Sequence, residues 1–260
     1  MKFWKMTGGG NDFVLIENKT GLNLSALAIK LCDRKFSVGA DGLLALSFKK
    51  NILKVRYFNS DGSEAFCGNG SRCSALWAFK NKIKDKKIFL DTFAGILGAF
   101  KGGKNKILLE MPPLRKISFY LKSPLKKIFP EIHFAYLGVP HAVVIVKDER
   151  KIDVFKYGNI LRNSALFYPQ GANINFACLR NGKIFIRTYE RGVENETLAC
   201  GSGMAASAAV FWSLKKVKNM VKLVSASKME FLVKIEGEEK AEKIWAQGPA
   251  KIIFKGETYG

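Results

Sequence analysis

Apolar residues recur along this chain in two rhythms. Short dense runs at Phe13–Ile16, Leu53–Phe58, Ala142–Val146 and Lys183–Tyr189 have the pattern of strands in a covered sheet. Longer segments keep the period of a helix. Leu24–Asp33 places Leu24, Leu27, Ala28 and Leu31 on one face, and Asp153–Asn163 does so with Val154, Ile160 and Leu161. Ser71–Asn81 carries Ala75, Leu76, Ala78 and Phe79, and Ser202–Lys215 carries four alanines followed by Val210, Phe211 and Trp212. The last of these is apolar nearly all round, which predicts burial. Lys80 and Lys215 suit the C-terminal ends of their helices. Further strand-like stretches are Lys87–Thr92, Lys106–Glu110, Met220–Val224, Glu230–Ile235 and Lys243–Ala246. The stretch 112–131, rich in proline and lysine, reads as a linker.

The order of these elements is repeated, and short matches accompany the repeat at a nearly constant offset. GGNDFVLI (9–16) lies over VPHAVVIV (139–146), and VGADGLL (38–44) lies over QGANINF (170–176). Cys67-Gly68-Asn69-Gly70 lies over Cys200-Gly201-Ser202-Gly203. In each half a strand, a helix and a second strand precede a Cys-Gly motif that opens an apolar helix. The predicted fold is α/β (α+β), with two pseudo-symmetric domains of about 1–115 and 116–248. Each is a mixed sheet or barrel wrapped around a central apolar helix, with the active site between them.

Composition narrows the class. The chain has 260 residues, 48% of them hydrophobic and 25% charged, as expected of a globular enzyme or binding protein. No N-terminal apolar run resembles a signal peptide, and none is long enough to span a membrane, so the expected location is cytoplasmic. Five cysteines are an odd number, which argues against a complete disulfide framework. The net charge of +21 raises a nucleic-acid alternative. The basic residues are mostly lysines spread along the whole length, with no regular interleaving of aromatics, so a solvated basic surface is the simpler reading.

The paired Cys-Gly motifs carry the chemistry. A helix start offers unpaired N–H groups and partial positive charge, glycine allows an anion to approach, and a cysteine there is activated as a thiolate. Two such starts suit inversion of a stereocentre next to a carboxylate, in which one group removes a proton from one face and its counterpart adds one to the other. Cys32, Cys73 and Cys178 lack this context and read as core cysteines. A zinc site lacks CxxC spacing, with His133 and His141 far in sequence from both motifs. There is no Gly-x-Ser-x-Gly elbow for Ser/His/Asp hydrolysis.

At GGGNDF, VGADGLL, FNSDGSEAFCGNGSRC, GVPHAVV, GANINF and RTYERGVENETLACGSG the sequence resembles the diaminopimelate epimerase family. The resemblance implies cofactor-independent two-base conversion of LL-2,6-diaminopimelate to the meso form, feeding lysine and peptidoglycan synthesis. It implies that Cys67 and Cys200 are the acid/base pair and that His141 and Glu190 support them. Gly68, Asn69, Gly201 and Ser202 would hold the reacting carboxylate, and Asn11, Asn59, Asn173, Glu190 and Arg191 the rest of the substrate. It further implies no metal, no cofactor, no nucleic acid and no membrane, and residues 249–260 crossing back to the first domain. Any oligomer is expected to be a homodimer. Two departures are visible. Val139 stands where the family usually has Asn, and the segment from Asn59 to Cys67 is one residue short. Read alone, the asparagines are also turn residues, Glu190-Arg191 a surface pair and His141 a loop histidine. The alternatives left open are a related racemase of the same fold and a basic nucleic-acid-binding protein.

Overall fold

Strands are set by side chains buried alternately or on both faces. In Ile52–Asn59, Leu53, Val55 and Tyr57 point inward between Lys54, Arg56 and their neighbours. In Asn11–Glu17, by contrast, Phe13 to Ile16 are all buried, as in a strand covered on both sides. The computed structural model describes residues 1–19, 21–49 and 51–259. The chain divides into one unit of Met1–Glu110 with Gln247–Gly260, and another of Met111–Ala246.

In the first unit β1 (Lys2–Gly8) pairs antiparallel with β2 (Asn11–Glu17), which runs parallel to β3 (Gly42–Lys49). A parallel neighbour needs a crossover, and α1 (Leu24–Cys32) supplies it. β3 pairs antiparallel with β4 (Ile52–Asn59), which also holds the short β5 (Glu64–Ala65). The second crossover is α2 (Gly68–Asn81), leading to β6 (Lys87–Thr92) parallel to β4, then to antiparallel β7 (Gly95–Lys101) and β8 (Lys106–Glu110). From the far end of the chain, β18 (Lys251–Glu257) returns to pair antiparallel with β1.

The second unit repeats this plan. β9 (Leu114–Lys122) and β11 (Val139–Ile145) flank β10 (Glu131–Leu137), both antiparallel. β12 (Asn173–Arg180) runs parallel to β11 after α3 (Val154–Arg162). β13 (Lys183–Glu190) is antiparallel to β12 and holds β14 (Asn195–Thr197). After α4 (Gly201–Ser213), β15 (Met220–Val224) runs parallel to β13 and β16 (Glu230–Glu236) antiparallel to β15. β17 (Lys243–Pro249) leads out of the unit. The succession of strand senses from β1 to β7 recurs from β10 to β16.

In each unit one helix is central and one lies outside. α2 touches β1 to β4, β6 to β8 and β18, and every residue from Gly68 to Phe79 is buried. α1 packs on the other face, where Leu24, Ala28 and Leu31 meet Val14, Ile16, Leu43 and Ala45. α4 touches β9 to β13, β15 and β16, and α3 covers the outer face with Val154 and Leu161 against Val144, Ile174 and Phe176. A sheet sandwiched in this way explains the nearly continuous apolar runs in β2 and β11. The mixed α/β class and two-domain fold read from the sequence are those observed.

Two local readings differ from the structure. α2 starts at Gly68 rather than at the expected Ser71, because the Cys67 sulfur caps it, whereas α4 starts at Gly201, beside the expected Ser202. The stretch 112–131 is only partly a connector, since Leu114–Lys122 pairs along β10. Its alternating Ile117, Phe119 and Leu121 were masked in the sequence by basic residues at either end, Arg115, Lys116 and Lys122, and by flanking prolines.

Candidate active-site residues in each unit

Cys67 precedes α2 in extended conformation, half-buried, and its Sγ accepts from the Gly70 N–H at 3.4 Å. Cys200 does the same for α4, its Sγ accepting from the Gly203 N–H at 3.3 Å, with Ser202 Oγ 3.5 Å from the sulfur. Sulfur therefore occupies the position where a serine or aspartate oxygen normally caps a helix. The glycine three residues on is required by packing. A Cβ on Gly70 would lie 2.8 Å from Leu44 Cδ2, and one on Gly203 would lie 2.3 Å from Asn175 Oδ1. The second glycine of each motif thus seats the helix against its sheet.

In the first unit a directed string of hydrogen bonds leads from α2 to the start of β2. The buried Arg72 guanidinium donates to Asn69 Oδ1. Asn69 Nδ2 donates to Asn11 Oδ1 at 2.7 Å, and Asn11 Nδ2 donates to Asp41 Oδ2 at 3.0 Å. Asp41 also accepts from the Asp12 backbone N–H, and Arg34 bridges both carboxylates. Burial pushes the Asp12 carboxyl up, but hydrogen bonds from Arg34 and Lys5 outweigh it and hold the group down at about 2. With charge at each end the orientation of both amides is fixed, and Asn11 presents an N–H-bearing face. Asn59 does not join the string. At the end of β4 its Oδ1 accepts from the Tyr57 hydroxyl at 2.8 Å and its Nδ2 donates to Ser63 Oγ at 2.9 Å.

In the second unit the register sets His141 beside Asn173 across the parallel β11–β12 pair. His141 is fully buried, which drives its pKa down to about 3, with the Arg191 charge adding to the effect, so the ring is neutral near pH 7. Asn175 Nδ2 donates to Ala142 O at 2.8 Å and lies 3.3 Å from His141 Nδ1, packing the ring against the start of β12. Asn173 Oδ1 accepts from the Arg191 N–H at 2.8 Å, tying the start of β12 to the end of β13. Arg191 Nη1 donates to Gln170 O, and Glu190 Oε2 accepts from Thr197 Oγ1 at 2.9 Å. Glu190 and Asn59 hold corresponding places, each ending the strand that follows its unit's first parallel pair.

Gly68, Asn69, Gly201 and Ser202 all fall in the first turns of α2 and α4, beside the capping sulfurs. Sequence reasoning did not single out Asn175, Arg72, Asp12 or Asp41. Asn175 had a signal, because residues two apart on a strand share a face and Asn173 was already chosen. Its Oδ1 accepts from Thr188 Oγ1 at 3.0 Å, beneath Gly203. Among the described residues no group of three or more His, Cys, Asp or Glu could hold a metal ion. No helix among them is long and apolar enough to cross a membrane.

The family model described as diaminopimelate epimerase matches residues 3–113 and 133–253. A diaminopimelate epimerase of Hydrogenobaculum sp. is 35% identical over 274 residues, covering 98% of each chain. One from Aquifex aeolicus is 35% identical over 273 residues, covering 98% of this chain and 97% of its own. Among solved structures, a Bacillus anthracis phenazine biosynthesis protein of the PhzF family superposes with a TM-score of 0.75 at 16% identity, over 100% of this chain and 99% of that one. An Agrobacterium vitis hydroxyproline epimerase, with bound trans-4-hydroxy-L-proline, gives 0.70 at 16% identity, over 98% and 90%. At these identities the two structures speak for the fold alone.

Proposed function

The chain belongs to the diaminopimelate epimerase family, and from that premise we propose that it is an isomerase converting LL-diaminopimelate to the meso form. Cys67 and Cys200 act as the two proton-transfer groups. The supporting observation is the shared placement of these cysteines, each capping the buried central helix of its unit through sulfur.

Inversion requires a base on one face of the α-carbon and an acid on the other. Two thiols provide both roles and exchange them with the direction of reaction. The α-proton is a weak acid, so charge developing at the carboxylate needs preorganised donors. The N–H groups of the first turns, at Gly68-Asn69 and Gly201-Ser202, supply them together with the helix-end charge. The oriented Asn11 amide offers an N–H to a substrate carboxylate, and Asn173, Glu190 and Arg191 suit the polar groups at a zwitterionic end. His141, held neutral by burial, supports the site without adding charge. Glu190 accepts an N–H or O–H on the same side of the fold as Thr197.

The test is exchange. Reduced protein incubated with LL-diaminopimelate in deuterium oxide incorporates deuterium at the α-carbon as the meso isomer appears. Absence of both with folded, reduced protein overturns the proposal. Parallel incubation with proline, glutamate and lysine measures how strictly the substrate is chosen.

A further inference from the structure

The strands that lead to the two cysteines are very short. β5 is Glu64–Ala65 and β14 is Asn195–Thr197, and each pairs only with the end of one long strand, β4 or β13. So few ladder bonds do not hold a strand in place by themselves. Each short strand carries one glutamate, bound at both oxygens by an arginine of the long strand. Arg56 Nε donates to Glu64 Oε1 at 2.8 Å and its Nη2 to Oε2 at 2.7 Å. Arg187 Nε donates to Glu196 Oε1 at 2.7 Å and its Nη2 to Oε2 at 2.6 Å. We propose that Arg56–Glu64 and Arg187–Glu196 are positioning clamps, each fixing the short strand that delivers one cysteine to the start of its central helix. The inference rests on the two-thiol reading above.

The two clamps are equivalent by register. Glu64 lies opposite Phe58, and Glu196 lies opposite Tyr189. Each arginine stands two residues before that partner, on the same face of its strand, and reaches the glutamate along the diagonal. Neighbouring positions of the repeat have changed: Tyr57 corresponds to Thr188, and Asn59 to Glu190. The arginine and the glutamate stand in both halves. Beyond Glu64 only Ala65 and Phe66 precede Cys67, and beyond Glu196 only Thr197, Leu198 and Ala199 precede Cys200. The position of each glutamate therefore limits where its sulfur arrives.

A single contact between exposed charges would fix little. These four side chains are half-buried, and two parallel N–H donors on one carboxylate set orientation as well as distance. Each arginine is itself anchored. The Arg56 guanidinium lies 4.9 Å from the centre of the Phe58 ring. Arg187 Nη1 donates to the carbonyls of Glu149 at 3.0 Å and Ile152 at 2.8 Å, which ties the clamp to the segment ahead of α3. The hydrogen bond from Arg56 holds the Glu64 carboxyl below its ordinary range, so that clamp keeps its charge at neutral pH. Proton transfer demands this kind of support, because a displacement of about 1 Å in a reacting group can cost about a hundredfold in rate.

The experiment compares Glu64→Gln and Glu196→Gln in the full-length protein. Glutamine keeps the size of the side chain and removes the charge and one acceptor oxygen. The first readout needs no substrate: iodoacetamide alkylation of reduced protein at one fixed pH, followed at each cysteine by peptide mass spectrometry. Glu64→Gln is expected to speed Cys67 about threefold or more and to leave Cys200 unchanged, and Glu196→Gln to do the reverse, because a loosened approach opens the nearer sulfur. The second readout is steady-state epimerisation. Each variant is expected to lose roughly tenfold or more in kcat with KM within about twofold of wild type. Arg56→Gln combined with Glu64→Gln loses no more than either change alone, as partners in one clamp require. Alkylation altered equally at both cysteines, or at neither, overturns the proposal, as does a lowered melting temperature with kcat intact. If a glutamine variant fails to fold, Arg56→Lys or Arg187→Lys, which keeps the charge and loses the fork, takes its place with the same expected outcomes. Failure of α-hydrogen exchange in the wild type removes the two-thiol reading, whereas the alkylation readout reports on the clamps alone.

Discussion

A sulfur atom that both caps a helix and transfers a proton can be replaced in a way that separates the two tasks. Serine is a good cap, so Cys67→Ser and Cys200→Ser are expected to melt within a few degrees of wild type. Serine is a poor proton-transfer group near neutrality, and each variant is expected to lose at least about a hundredfold in kcat for epimerisation. A fully active serine variant at either position removes that cysteine from the mechanism. His141 makes a second prediction. Its folded pKa of about 3 lies below the ordinary value of 6.5, so the unfolded chain takes up the proton first. The stability that depends on a neutral His141 is complete above pH 6.5 and is lost as pH falls toward 3, at about 1.4 kcal/mol per pH unit. Urea midpoints at pH 7 and pH 5 are expected to show a loss of about 2 kcal/mol, and His141→Asn is expected to remove most of that difference. An equal slope in both proteins contradicts the burial argument.

Among the elements, α3 offers a control outside the catalytic groups. Asp153 Oδ1 accepts from the Lys156 N–H at 2.9 Å, capping the helix. Asp153→Ala is expected to cost about 1 kcal/mol in chemical denaturation and to leave epimerisation unchanged. The same scale shows what could be read from sequence. α1 and α3 announce themselves by amphipathic period, and their observed bounds fall within a residue of the expected ones. The first turn of α2 was not legible as helix, because Gly-Asn-Gly has poor intrinsic propensity and is held by burial and a sulfur cap. β9 was hidden for a related reason: its lysines face outward between prolines. The two cysteines stood out through the repeat, and Asn173 through the family resemblance. Arg72 did not, since nothing in a sequence distinguishes a buried arginine from the solvated basic residues around it. The Asn59 side chain, bound within its own turn by Tyr57 and Ser63, answers to local geometry that the motif alone did not convey.

For the whole molecule, the second unit is one uninterrupted piece of chain, Met111–Ala246, while the first is made from both ends. β18 lies along β1 with Lys2 opposite Glu257, and the Met1 ammonium donates to the Thr258 carbonyl at 2.6 Å. The two ends of this sequence are thus neighbours. Joining them with a short glycine-serine bridge and opening a new start in the surface turn at Asn181-Gly182 is expected to give a folded, active permutant. Removal of residues 247–260 is expected instead to unfold the first unit, exposing β1 and one end of α2. On the ribosome the same arrangement has a consequence in time. The middle segment has all its strands once residue 246 emerges, whereas residues 1–110 must wait, sheet unfinished, until β18 emerges to close it.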